Sequence, residues 1–278
     1  MRLPRLFCLL ITSLCLSLPA LADDASLNAQ RQHYLKAKEA LDKNQLAVFK
    51  QHYSQLGGYP LVQYLDYLRL KDQLDNPNLP QFDEFLSTYK GSLLAERLQA
   101  NLLSSLAVNK KWPEFMRYYT SDFNSAEIQC HLISAKIANG NPAALDETAS
   151  LWDVGKEQPE ACNNLFKRWR AAGKLSQGLV WSRFIKAMTN KKPELAKQMQ
   201  LLMVEPYAEY AKVFLKVDTR PELLKNHQLF LQQSLPMQQI IANGITKLAG
   251  KDAKEALKHW ELYEAQQLFG DDMTRETK

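Results

Sequence analysis

The sequence predicts an all-α fold, a right-handed α-superhelix (solenoid) built from short helical hairpins. Three observations predict it. Apolar residues recur at helical spacing along most of the chain, strict alternation is almost absent, and helix breakers fall at regular intervals. Glycine is scarce, with 10 residues among 278 beside 12 prolines. That argues against barrels, sandwiches and nucleotide-binding α/β folds, which use glycine freely in their turns. The chain is 46% hydrophobic and 23% charged, enough to bury a core and unlike a disordered composition.

The chain opens on an address. Arg2 and Arg5 precede an apolar run from Leu6 to Leu18, then Pro19 and the small-residue exit Ala20-Leu21-Ala22. This reads as a secretory signal peptide over residues 1–22, cleaved after Ala22. The run is short for a membrane span, so no stable membrane insertion is expected after cleavage; the alternative is a retained anchor. The net charge is +5, of which Arg2 and Arg5 carry two, leaving +3. So weak a bias excludes a strongly electrostatic nucleic-acid binder.

Helical stripes follow in order. Leu27, Tyr34 and Leu41 share one, Leu61, Tyr64, Leu65 and Leu68 a second, Leu94, Leu98, Leu102 and Leu106 a third, and Trp181, Ile185 and Met188 a fourth. Breakers such as Gly91, Trp112-Pro113, Gly140-Asn141-Pro142, Gln158-Pro159 and Lys192-Pro193 lie between them. A proline at a helix start costs little, because its missing N–H would be unpaired there anyway. Helices are expected to open near Gly91, Ser125, Pro159 and Lys191, at steps of 34, 34 and 32 residues, with partners near Lys111, Pro142 and Leu175. A period of about 34 residues per hairpin is that of tetratricopeptide-like solenoids, although the tetratricopeptide consensus itself is absent. Each hairpin has one apolar face that only a neighbour can bury, so stacking makes a curved superhelix. A compact helical bundle is the alternative; many short helices of similar length favour the solenoid.

Cys8 and Cys15 leave with the signal, and Cys130 and Cys162 remain as an even pair in an exported chain. A structural disulfide is expected. Its 32-residue separation would constrain the unfolded chain by about 4 kcal/mol in the loop-entropy model. There is no C-x-x-C, and no further thiol or histidine stands at ligand spacing, which argues against a redox pair or a metal site. Cys130 shares a stripe with Ile133 and Ile137, and Cys162 with Phe166 and Trp169. The bridge is therefore expected to join inward faces of helices separated by one intervening helix.

Motifs for chemistry are wanting. G-x-G-x-x-G, G-x-x-x-x-G-K-[ST], H-E-x-x-H and G-x-S-x-G do not occur, so no cofactor, no metal and no catalytic residue is predicted. His33, His52, His131, His227 and His259 are scattered and read as surface or helix-end residues. Asp83-Glu84 and Asp271-Asp272 read as carboxylates near helix starts, where the dipole favours them. Lys110-Lys111, Lys167-Arg168 with Arg170, and Lys191-Lys192 read as solvated basic runs. Aromatics are the one enriched feature with a binding meaning. Tyr59, Tyr64 and Tyr67 lie close together, as do Tyr118-Tyr119 and Tyr207 with Tyr210. Such rings either stack on sugars or pack between solenoid layers with the hydroxyl at the edge.

Five stretches carry a resemblance: Gln30-Arg31-Gln32-His33-Tyr34; Tyr59 through Tyr67, reading YPLVQYLDY; Ala126 through Cys130; Gln158 through Cys162; and Leu165 through Gly173. The chain resembles, over most of residues 26–270, the N-terminal superhelical U-domain of the soluble lytic murein transglycosylases of Gram-negative bacteria. The resemblance implies a partial ring or horseshoe of short helices, a periplasmic location, and peptidoglycan glycan strands as partner of the whole enzyme. It implies one superhelical domain over residues 23–278. The family's catalytic glutamate sits in an E-S-x-[FW]-type context followed by a G-L-M-Q run, and neither occurs in these 278 residues. No glutamate here inherits that role. The ending Asp271 to Lys278 reads as the opening turn of another helix, so the domain is expected to be truncated at its C-terminal end.

The whole enzyme's reaction, as the resemblance implies it, cleaves the bond between N-acetylmuramic acid and N-acetylglucosamine with closure of a 1,6-anhydro ring. One glutamate acts as acid and base. This chain is expected to be the non-catalytic part. The alternatives are a stand-alone periplasmic tetratricopeptide-like scaffold for envelope proteins, and a hydrolase using Asp83 and Glu84.

Overall fold

The structure is a computed structural model and describes residues 19–266, with side chains from residue 26 onward. Residues 1–18 of the expected signal segment, and the tail from Asp271 with its carboxylate pair, lie outside the described residues. All regular elements among the described residues are helical, as expected for an all-α fold. None of these helices is long and apolar enough to cross a membrane. The chain divides into two compact units, residues 1–123 and 124–278.

The first unit holds α1 (Pro19–Asp42), α2 (Leu46–Tyr53), α3 (Val62–Lys71), α4 (Leu79–Thr88), α5 (Leu93–Val108) and α6 (Trp112–Tyr118). α1 packs on α2, α3 on α4 and α5, and α5 on α6. Ala37, Ala40, Phe49, Leu56, Tyr59 and Leu65 form its first apolar cluster. Along α5, Leu98, Leu102, Leu103 and Leu106 are wholly enclosed. Each such leucine contributes about 1.5–3 kcal/mol by leaving water.

The second unit holds α7 (Ala126–Ala138), a 3-10 segment (Pro142–Glu147) running into α8 (Thr148–Trp152), and a 3-10 turn (Glu160–Cys162) running into α9 (Asn163–Ala171). There follow α10 (Gln177–Thr189), α11 (Pro193–Gln200), α12 (Tyr207–Thr219), two 3-10 segments (Pro221–Lys225 and His227–Phe230), α13 (Leu235–Ala249) and α14 (Ala253–Ala265). One continuous core runs from Cys130 to Tyr263.

Helix ends follow a repeated chemistry. Ser92, Ser125, Ser176 and Ser234 each accept the N–H of the residue three places on, capping α5, α7, α10 and α13, and Asp252 does the same for α14. At the other ends Asn44, Lys110, Gly140, Gly173 and Lys191 adopt positive φ. Each is followed by a paired Schellman closure: Lys110 N–H to Ala107 and Lys111 N–H to Leu106 repeat as Lys191 to Met188 and Lys192 to Ala187. The next helical segment then opens on Trp112-Pro113, Pro142 or Pro193. This is why the expected starts near Gly91, Ser125, Pro159 and Lys191 fall within a few residues of α5, α7, the turn into α9, and α11.

The pairing of hairpins departs from the expected period. α10 packs chiefly on α11, whereas α9 packs on α7, α8 and the flanking 3-10 segments. The irregular stretch 153–159 and the bond at Cys162 draw α9 back toward α7, which shifts the phase of the hairpins that follow. The stripe on α3 is also rotated. Leu65, Tyr67 and Leu70 are its buried residues, while Leu61 and Tyr64 are exposed.

Candidate functional site

Cys130 of α7 and Cys162 form the disulfide, with Cα atoms 5.2 Å apart. Both residues are fully buried. Cys162 ends the 3-10 turn that leads into α9, and the element between the two bonded segments is itself split, 3-10 then α. The bridge thus fastens the first helix of the second unit to the start of α9.

The three tyrosines singled out in the sequence separate. Tyr59 is 7% and Tyr67 8% exposed, whereas Tyr64 is 43% exposed. Tyr59 packs against Tyr34, ring centres 5.5 Å apart. Tyr207 and Tyr210 both lie about 6 Å from Trp181.

Two carboxylates in the first unit have both oxygens occupied. Asp66 of α3 accepts from Tyr53 Oη at 2.7 Å and from Tyr89 Oη at 2.8 Å. Burial, and then the adjacent Asp66 charge, push both phenols well above their ordinary pKa, so they are fixed as donors. Asp66, Arg69, Glu84 and Thr88 line a cavity of about 250 Å³ beside them. Asp83 accepts from Tyr118 Oη at 2.7 Å and from Arg117 at 2.6 Å. The expectation of Asp83 near a helix start is corrected: it lies in the middle of α4 (Leu79–Thr88) and bonds α6. A general acid must present a proton to its substrate, and carboxylates tied on both oxygens serve as struts instead.

Four of the five histidines lie in pairs, two of these residues, His52 and His227, at helix ends as expected. His33 and His52 meet Nδ1 to Nδ1 at 3.0 Å. His227 and His259 have ring centres 5.4 Å apart, and His259 is buried. Distance in sequence hid both pairs. No group of three or more metal-ligand side chains occurs among the described residues.

The second unit contains a cavity of about 520 Å³ between α8, α9, α10 and α11. Trp152 closes α8 and forms one wall. The Arg183 guanidinium from α10 lies 4.2 Å from its ring centre, and that of Arg170 from α9 lies 5.8 Å away. Phe166 meets the same indole edge-on at 5.3 Å. Arg183 is 3% exposed, and burial pulls its guanidinium pKa down against the pull of Glu157 and Asp153. Lys167 and Arg170, expected as solvated basic residues, line this cavity. Sequence reasoning missed the site because its residues come from four separate segments. The basic run at 167–170 and the arginine on the apolar face of α10 were the signals available.

Fold and site define a class: an all-helical, hairpin-built protein with a disulfide clamp. No family model matches the chain. Comparison with individual proteins bears out the resemblance read from the sequence: the chain is similar over most of its length to proteins named soluble lytic murein transglycosylase. It is 28% identical over 266 residues to the Escherichia coli protein of that name, covering 95% of this chain and 41% of that one. It is 34% identical over 173 residues to the Salmonella typhimurium protein, covering 62% and 27%. A structure of an inactive mutant of lytic transglycosylase Slt from Pseudomonas aeruginosa matches with a TM-score of 0.76, at 27% identity, over 87% of this chain and 39% of that one. The 70-kDa soluble lytic transglycosylase of Escherichia coli matches with a TM-score of 0.69, at 27% identity, over 90% and 41%. The chain therefore spans about two fifths of the length of the Escherichia coli relative.

Proposed function

We propose that these 278 residues form a non-catalytic helical scaffold of the lytic murein transglycosylase system, acting on the periplasmic side of the envelope and in contact with peptidoglycan glycan strands. The observation that carries this reading is the extent of similarity: 95% of the chain aligns with a protein named for murein cleavage, over two fifths of that protein. The lack of an E-S-x-[FW] or G-L-M-Q sequence supports a role other than cutting. So does the state of Asp66 and Asp83, both committed to tyrosine hydroxyls. Export by residues 1–22 agrees with the disulfide, since such bonds persist in oxidising compartments. The exposure of Tyr64, alone in its trio, supports it as the ring that would stack on a sugar face.

The experiment is digestion of purified sacculi with the purified protein, followed by mass spectrometry of the soluble products. The reading expects no 1,6-anhydro-muropeptides above background. Their release at a rate proportional to protein concentration would overturn it.

A further inference from the structure

We propose that the cavity at Trp152 and Arg183 is a binding site for a peptide ending in a free carboxylate. This goes beyond the scaffold reading and stands without it.

The charges around the cavity are unbalanced. Arg183, Arg170 and Lys167 contribute three cations and Glu157 one anion. None of the three cations has a carboxylate partner within ion-pair distance among the described residues. Asp153, the other carboxylate near Arg183, is engaged by Lys186 at 2.7 Å and Ser182 at 3.0 Å. Two guanidiniums sharing one indole repel each other, and an anion between them relieves that repulsion.

Unpaired donors point the same way. Trp152 is 5% exposed and Arg183 3% exposed, and both Nε1 of Trp152 and Nε of Arg183 lack hydrogen-bond partners. Arg183 spends one N–H on the Lys156 carbonyl, at 3.3 Å. Buried unpaired donors are destabilising, and an acceptor entering the cavity removes that penalty. A carboxylate matches a guanidinium fork with two parallel bonds. Gln158 adds the complementary need. Its Nε2 is held by the Leu151 carbonyl at 2.7 Å, while its Oε1 is buried and unpaired. An acceptor beside cationic donors suits a ligand with an amide N–H next to its carboxylate, which is the chemistry of a peptide terminus. Apolar Phe166, Leu195 and Leu202 line the rest and suit a small side chain. The volume is that of a small-ligand site.

The test is titration of the intact protein, in ¹H–¹⁵N spectra of the indole groups, with N-acetyl-alanyl-alanine as probe. The Trp152 signal is assigned by loss in Trp152→Phe. The D,D form stands for a cell-wall peptide and the L,L form for a protein terminus. We expect a saturable shift of the Trp152 Nε1–H with the carboxylate of at least one configuration, and about tenfold weaker binding by the C-terminal amide, the loss of one charge-assisted contact. Arg170→Gln, on an exposed side chain, should weaken binding several-fold with an unchanged circular dichroism spectrum. Arg183→Met keeps the apolar stem on Trp152 and should abolish the shift. Equal binding of acid and amide, or no Trp152 shift by either acid at millimolar concentration, would overturn the proposal.

Discussion

Cys130 and Cys162 join α7 to the entrance of α9 across 32 residues of chain, with their Cα atoms 5.2 Å apart. The bridge encloses the split element 142–152, whose last residue, Trp152, lines the cavity. Reduction should therefore cost about 2–5 kcal/mol in the second unit, the usual loss for a loop-closing bond. The expected outcome is a lower thermal midpoint in reductant and for the Cys130→Ala/Cys162→Ala variant, with equal midpoints for the two. Calorimetry with and without reductant checks it.

Asp66 should act as a strut. Asp66→Ala leaves the Tyr53 and Tyr89 hydroxyls without their acceptor. A loss of about 1–3 kcal/mol is expected, toward the low end because the site is half-buried. The double change Tyr53→Phe/Tyr89→Phe in the Asp66→Ala background should recover part of it. Urea titrations of the four proteins measure the coupling.

Gly244 should resist enlargement. A Cβ there would lie 2.5 Å from Val217 Cγ1 and 2.7 Å from Leu224 Cδ1, and both of those residues are fully buried. Gly244→Ala is expected to destabilise by about 1–3 kcal/mol through overpacking, even though alanine is the better helix former. Gly58→Ala provides the contrast: it meets no neighbour, and its penalty arises from φ +75 alone. Comparing their chemical denaturation midpoints separates packing from backbone strain.

Stability should fall on mild acidification. Burial lowers the His131 and His259 pKa values; Glu127 opposes this for His131, and for His259 Glu255 opposes while His227 and Lys225 assist. A histidine depressed in the folded state is neutral in both states above its ordinary pKa. Below about 6.5 the unfolded chain takes up the proton first. The folding free energy thus decreases as pH drops from about 6.5 through the lowered folded-state values. Denaturation midpoints at pH 7.5 and 5.5 should differ in that sense, and His259→Phe should shrink the difference.

Much of the local architecture was legible in the sequence. Periodicity and breakers located the helices because helix ends are set by short-range chemistry, which Gly91, Ser125, Pro142 and Lys192-Pro193 announce. The disulfide was legible because Cys130 and Cys162 are the even pair outside the expected signal segment. The phase of the hairpins was not, since it depends on how the 153–162 stretch is tied back to α7. Nor was the rotation of α3, on which Asp66 meets tyrosines from α2 and from the end of α4. The cavity at Trp152 could not be read, because its lining comes from segments far apart in the chain and Arg183 is a charged residue on an otherwise apolar helix face. A lone arginine amid Trp181, Phe184 and Ala187 on a buried helix face was one of the signals available.

The central claim is a scaffold that engages the wall without cutting it. The most direct measurement is co-sedimentation of the purified protein with intact sacculi, scored together with release of soluble muropeptides from the same tubes. The account predicts saturable pelleting, weakened by Tyr64→Ala, with no anhydro products in the supernatant. Protein that stays in the supernatant at every sacculus concentration would contradict it.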